Sequence, residues 1–100
     1  MKQKRMSSDE IGRMMVDECK AISNLLAAKN KAYGNSALDP IRILSNADPI
    51  EQIKIRIDDK LSRLMRGTDT NDVPEDTIQD IIGYFILLNI AQKLRAKGLL

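Results

Sequence analysis

The sequence contains no histidine and no tryptophan, and Cys19 is its single cysteine among 100 residues. Without histidine the chain has no imidazole general base, no Ser-His-Asp triad and none of the histidine ligands that most zinc sites use. One cysteine cannot form a disulfide within the chain, which points to a reducing compartment. These absences exclude most familiar hydrolase chemistry.

Long hydrophobic runs are also missing. The longest, from Phe85 to Ile90, is interrupted by Asn89, and a membrane span needs about 20 apolar residues. The first six residues are basic, and no apolar segment follows them as it would in a secretory signal. We therefore expect a flexible basic N-terminus over residues 1–6, no membrane partner and a cytoplasmic location.

The apolar residues that the sequence does contain are mostly aliphatic. Hydrophobic residues make up 43% of the chain although only three residues are aromatic, which is typical of a globular core built from Ile and Leu. The length predicts a single domain over residues 1–100. The net charge of +2 argues against a dedicated nucleic-acid binder, which usually carries a larger positive excess.

Capping signals predict where three long helices begin. Ser7 is followed three residues later by Glu10, Asp48 precedes Pro49, and the same acid-proline device recurs at residues 72–75. Apolar residues recur at helical spacing after each signal, and Gly67 and Gly98 mark two ends. The predicted helices cover about residues 8–29, 49–66 and 74–97, so the fold class is all-α.

The segment between the first two helices, residues 30–47, is too long for an ordinary bundle connection. Long loops in small domains are often functional, which predicts a functional loop here. The alternative is an ordered crossover in which Ile41 and Leu44 fill one end of the bundle. The two interpretations are compatible.

The third helix has two apolar faces. Ile78, Ile81, Ile82, Phe85 and Leu88 form one face, and Gly83, Tyr84, Leu87, Ala91 and Leu94 form the other. Because a three-helix monomer buries only one face well, we expect the second to complete the bundle by oligomerisation. The prediction is a homo-oligomer, at least a dimer, through Gly83, Tyr84, Leu87 and Leu94.

Several charged residues lie where the pattern predicts apolar ones. Glu18 falls in the apolar stripe of the first helix, and Lys60 borders that of the second, so they form an internal ion pair or line a cleft. Lys60 would then reach Glu18 or a ligand phosphate. Asp76 and Asp80 share one face of the third helix and could hold a divalent cation, although Asp76 also suits the helix dipole.

Three segments occur in an order that resembles a known family. They are Lys-Asn-Lys-Ala-Tyr-Gly-Asn-Ser at 29–36, Arg-Ile-Asp-Asp-Lys-Leu-Ser-Arg-Leu at 56–64 and Glu-Asp-Thr-Ile-Gln-Asp-Ile-Ile-Gly-Tyr at 75–84. Over roughly residues 25–90 the chain resembles the small helical phage proteins called the nucleotide-modification-associated domain, first family. The resemblance implies a nucleotide-linked role in a phage-infected host cytoplasm, and it implies no particular reaction.

A more distant similarity is to the MazG-like all-α nucleoside triphosphate pyrophosphohydrolases, which bind magnesium through acidic pairs on two helices. Asp76 and Asp80 resemble the last acidic helix of those enzymes. On the middle helix, where they carry Glu-x-x-Glu, this sequence has Asp59-Lys60 and Arg63 instead. Cations at those positions suit direct phosphate binding better than magnesium-assisted hydrolysis.

Residues and resemblance together favour a protein that binds a phosphate-bearing nucleotide or cyclic nucleotide without turning it over and without a cofactor. Lys29, Lys60 and Arg63 would neutralise phosphate, and Tyr33 would stack on a base or ribose. The turn that follows supplies further hydrogen-bond donors. Its residues are Gly34, Asn35 and Ser36.

By analogy with other small phage proteins, such binding would sequester a host cyclic-nucleotide defence signal, as a sponge does. One alternative is a magnesium-dependent nucleoside triphosphate pyrophosphohydrolase, with Glu18, Asp76 and Asp80 as metal ligands. Another is a protein that inhibits a host enzyme by direct contact.

Overall fold

The computed structural model describes residues 5–66 and 75–100. These residues form three α-helices and no strand: α1 (Ser8–Tyr33), α2 (Pro49–Arg66) and α3 (Glu75–Ala96). The predicted all-α class is confirmed. No helix in the described ranges is both long enough and apolar enough to span a bilayer.

The helix caps follow the chemistry of the residues that the sequence places there. Ser7 Oγ accepts a hydrogen bond from the backbone N–H of Glu10 at 3.1 Å, as an N-cap residue does. Asp48 Oδ2 accepts one from the backbone N–H of Glu51 at 3.3 Å. The predicted signals at Gly67 and residues 72–74 lie outside the described residues.

The first helix is longer than predicted. It continues past Lys29 to Tyr33 and ends at Gly34, whose φ of 60° is the left-handed conformation that glycine adopts without a steric penalty. The backbone N–H of Gly34 bonds to the carbonyl oxygen of Asn30. Residues 30–33, assigned to the loop from the sequence, therefore extend the helix by one turn.

The core lies between α2 and α3, which run antiparallel as a hairpin. Asp48 at the start of α2 pairs with Arg95 near the end of α3, and Lys60 late in α2 pairs with Asp80 early in α3. Between these two ion pairs lies an aliphatic cluster with partly buried side chains packed against it. The cluster is Ile50, Ile53, Ile57 and Ala91, and its neighbours are Leu38, Tyr84, Leu87, Leu88 and Leu100.

The surface predicted for oligomerisation is corrected by this packing. Tyr84 and Leu87 contact the core of the same chain, and Gly83 is buried against α1. That face of α3 is therefore the intrachain face, and the exposed apolar residues of α3 include Ile78 and Phe85 from the other one. The sequence pattern showed two faces and could not show which one α2 would cover.

The contact of α1 with the hairpin is confined to one crossing point. A Cβ atom placed on Gly83 would lie 2.7 Å from Leu26 Cδ2, so glycine permits the close approach of α1 and α3. Ile22, one turn from Leu26, is buried. Among the described residues α1 makes no close backbone approach to α2, and its first half extends away from the hairpin.

The connection between α1 and α2 packs through a residue that the sequence did not single out. Leu38 contacts the core cluster, whereas Ile41 and Leu44 are almost fully exposed. The expectation that Ile41 and Leu44 fill one end of the bundle is therefore wrong. The loop is anchored near its beginning, where three hydrogen-bonded turns follow α1.

Candidate functional site

Three helices each contribute one charged side chain to a single cluster, the Lys29–Asp80–Lys60 cluster. Lys29 Nζ of α1 lies 3.2 Å from Asp80 Oδ1 of α3, and Lys60 Nζ of α2 lies 3.0 Å from Asp80 Oδ2. One carboxylate thus holds two ammonium groups, one on each oxygen. The cluster lies one turn along α3 from the Leu26–Gly83 crossing, which brings Lys29 within reach of Asp80.

Burial and charge act in opposite directions on Asp80. Its side chain is only 23% exposed and that of Lys60 only 20%, whereas Lys29 is about half exposed. Burial raises the pKa of the Asp80 carboxyl, but the hydrogen bonds from Lys60 and Lys29 and their positive charges lower that pKa by more. Asp80 therefore stays ionised at neutral pH and holds both lysines in place.

The partner of Lys60 differs from the one expected. Glu18 is exposed on the projecting half of α1, and it makes no ion pair with any residue in the described ranges. Asp80 takes the place that the sequence pattern suggested for Glu18. The physical reason is the helix crossing: α1 reaches the hairpin only near Leu26, about two turns beyond Glu18 along the helix.

The three residues considered as magnesium ligands are not gathered into one described group. Glu18 is far along α1 in sequence, the side chain of Asp76 lies outside the described residues, and both oxygens of Asp80 are occupied by lysines. Within the described part of the chain no three acidic or thiol groups come together as a metal would require.

Arg63 and Tyr33, two other predicted ligand-binding residues, each lie one turn from a lysine of the cluster. Arg63, one turn after Lys60 on α2, is exposed and has no hydrogen bond or ion pair among the described residues. Tyr33, one turn after Lys29 on α1, is 69% exposed. At i,i+3 and i,i+4 spacings these residues lie on the same sides of their helices as the two lysines.

The turn after α1 is ordered by its own hydrogen bonds. Asn35 has a φ of 63°, which asparagine tolerates, and its Oδ1 accepts a hydrogen bond from Asn30 Nδ2 at 2.6 Å. The backbone N–H of Ser36 donates to the carbonyl oxygen of Tyr33 at 3.3 Å. These bonds fix the chain direction just beyond Tyr33 and leave Ser36 exposed.

A second ion pair lies at the opposite end of the hairpin and was not anticipated. The two terminal nitrogens of the Arg95 guanidinium, Nη1 and Nη2, each donate to one oxygen of the Asp48 carboxylate, with Nη1 at 3.2 Å from Oδ2. The hydrogen bond from Arg95 lowers the pKa of Asp48. The signal that predicts this pair is the antiparallel order itself, since residues at the start of α2 must meet residues at the end of α3.

Comparison with known proteins identifies no relative. No family model matches the chain, and neither curated proteins nor solved structures include a chain detectably similar to it.

Proposed function

We propose that this chain binds the phosphate of a nucleotide at the Lys29–Asp80–Lys60 cluster and does not hydrolyse it. The observation that carries the proposal is that the cluster has two positive charges and one negative charge. Two ammonium groups from different helices share one carboxylate, so the cluster retains one positive charge that its own residues leave unbalanced. A phosphate oxygen would neutralise that charge.

The chemistry of the ammonium group supports this assignment. Each lysine Nζ carries three N–H donors, and Asp80 accepts a hydrogen bond from each lysine through a different oxygen. The remaining donors can reach a bound anion. A charge-assisted hydrogen bond of this kind contributes roughly 1.5–3 kcal/mol, more where water is partly excluded, as it is around Lys60.

The surrounding residues fit the remaining parts of a nucleotide. Arg63, which has no ion pair among the described residues, adds a second cation one turn from Lys60, and this suits a ligand with more than one phosphate group. Tyr33 presents an exposed ring one turn from Lys29, where a base or ribose would stack against it. By analogy with other small phage proteins, we propose as the ligand a cyclic nucleotide used as a host defence signal, which the protein would sequester without chemistry.

Magnesium-dependent hydrolysis is the alternative that the cluster disfavours. A metal at Asp80 would have to displace two lysines and would then lie beside their positive charges. Direct binding needs no such rearrangement. The proposal therefore includes the prediction that affinity does not require a divalent cation.

Thermal denaturation against a nucleotide panel tests the proposal. The panel contains ATP, GTP and cyclic dinucleotides, each with EDTA or with magnesium. We expect one class to raise the melting temperature equally in both conditions, by about 4–8 °C for each kcal/mol that the ligand adds to the free energy of unfolding, which is RT ln(1 + [L]/Kd). Absence of any shift at millimolar ligand would contradict binding, and release of pyrophosphate only with magnesium would support the hydrolase alternative.

A further inference from the structure

Two apolar stripes meet at the crossing of α1 and α3 and continue beyond it without a partner among residues 5–66 and 75–100. On α1 the stripe runs from the packed Leu26 and Ile22 to Met15 and Ile11, at spacings of four, seven and four residues. On α3 it runs from the buried Gly83 to Ile86 and Ile90, at spacings of three and four. In each stripe the residues near the crossing are buried or partly buried, and the outer residues, which lie farther from it, are exposed to solvent.

The outer residues are exposed to a degree that is unusual for side chains of this size. Ile11, Met15, Ile86 and Ile90 have exposed fractions between 39% and 63%, and Met14 and Val16 beside them are more than half exposed. Scattered apolar residues are normal on a protein surface, whereas a patch that spans two helices is typical of an interface. On α1 the exposed Glu18 interrupts the patch between Met15 and Ile22.

The accessible surface area of the chain indicates how large an interface with a partner would be. A compact chain of 11.2 kDa is expected to expose about 5,700 Å², whereas this chain exposes 8397 Å². The radius of gyration is 17.0 Å, against about 13 Å for a compact domain of 100 residues. The excess surface is about 2,700 Å² per chain.

Residues outside the described ranges do not account for that excess. The twelve residues concerned would contribute about 1,200 Å² of it even if fully extended. About 1,500 Å² per chain remains, and if two copies buried it against each other the interface would fall within the roughly 2,000–5,000 Å² typical of obligate homodimers.

We infer that a second copy of this chain covers the open stripes, as a homodimer in which the projecting half of α1 packs on α3 of the partner subunit. The contact continues one already present, because the same two stripes pack on each other at Leu26 and Gly83 within the chain. A two-fold axis lets each copy supply an α1 stripe and an α3 stripe, so both open surfaces are covered in one closed assembly.

The test makes the same Met-to-Glu substitution at two positions and compares the masses of the variants by light scattering after gel filtration. Wild type should have twice the mass of the 11.2 kDa chain. Met15→Glu should be monomeric and still helical by circular dichroism, because Met15 is already exposed in the single chain. Met65→Glu, on a still more exposed side chain of α2 away from the stripes, should remain dimeric.

The rate of maleimide labelling at Cys19 gives an independent reading of the same surface. Cys19 is exposed in the single chain and lies between Met15 and Ser23 in a shallow groove of α1. We expect labelling of wild type to be severalfold slower than that of Met15→Glu. A monomeric wild type, a Met15→Glu variant that stays dimeric, or equal labelling rates would each overturn the inference.

Discussion

The α2–α3 hairpin is closed at each end by an aspartate, and the two aspartates are paired differently. Asp48 bonds to one guanidinium, so the charges at that end cancel one to one. Asp80 bonds to two ammonium groups from two other helices and is largely buried. The first arrangement is complete as it stands, whereas the second retains positive charge, and that difference separates a structural pair from a candidate binding site.

The largest expected effect comes from removing one of the two lysines. Lys60→Met keeps the apolar stem and removes the charge, so it should weaken nucleotide binding by about 2 kcal/mol, roughly thirtyfold. Lys54→Met is the matched control because Lys54 pairs with Glu51 on the exposed side of the same helix. Calorimetric titration should show an unchanged affinity for the control; equal losses in both variants would indicate non-specific attraction.

Tyr33 distinguishes base stacking from phosphate contact. Tyr33→Ala should weaken binding of a nucleotide by about 1–3 kcal/mol, the usual contribution of one aromatic stacking partner. The melting temperature without ligand should hardly change because the ring is exposed. Inorganic pyrophosphate, which has no base, should bind wild type and variant equally. A weaker pyrophosphate affinity in the variant would show that Tyr33 does not act through base stacking alone.

The two aspartates should respond to acid in the same direction, with effects that differ in size and in sensitivity to salt. The pKa of Asp80 is lowered from its ordinary value of 3.8, so its stabilising effect is full above about pH 5 and is lost as pH falls below 4. Asp80→Asn should therefore lower the free energy of unfolding by about 1–2 kcal/mol near pH 6, and less with increasing acidity.

Asp48→Asn provides the comparison. The pKa of Asp48 is also lowered, so the pH dependence has the same sign. Because Asp48 and Arg95 are exposed, we expect a smaller effect that decreases further in high salt, whereas the effect of Asp80→Asn should be less sensitive to salt. Urea denaturation at several pH values measures both, and equal salt sensitivity would contradict the difference in burial.

Local signals in the sequence predicted the helices well. Ser7 and Asp48 begin their helices as expected because capping depends on residues within one turn. Lys60 was singled out because it borders an apolar stripe, Asp80 because it shares a helix face with Asp76, and Lys29 as a cation for phosphate. The extension of α1 to Tyr33 was missed because nothing but the left-handed Gly34 stops that helix.

Relations between helices were harder to predict. Glu18 was expected to meet Lys60, but whether two residues meet depends on where the helices cross, and the Leu26–Gly83 contact fixes that point. The same limit explains why the face of α3 that contains Leu87 was assigned to a subunit contact, although Leu87 packs within the chain. Helical periodicity shows that a face is apolar and does not show which partner covers it.

Asp80 also provides the most direct test of nucleotide binding at the cluster. Asp80→Asn removes the one negative charge between the two lysines, while the amide oxygen of asparagine can still accept a hydrogen bond that positions a lysine. An anionic ligand should therefore bind the variant more tightly than wild type. Titration of the best nucleotide of the panel into both proteins, in EDTA, measures this. Tighter binding by Asp80→Asn is the expected result, and loss of binding, or binding to wild type that appears only with magnesium, would contradict the proposal.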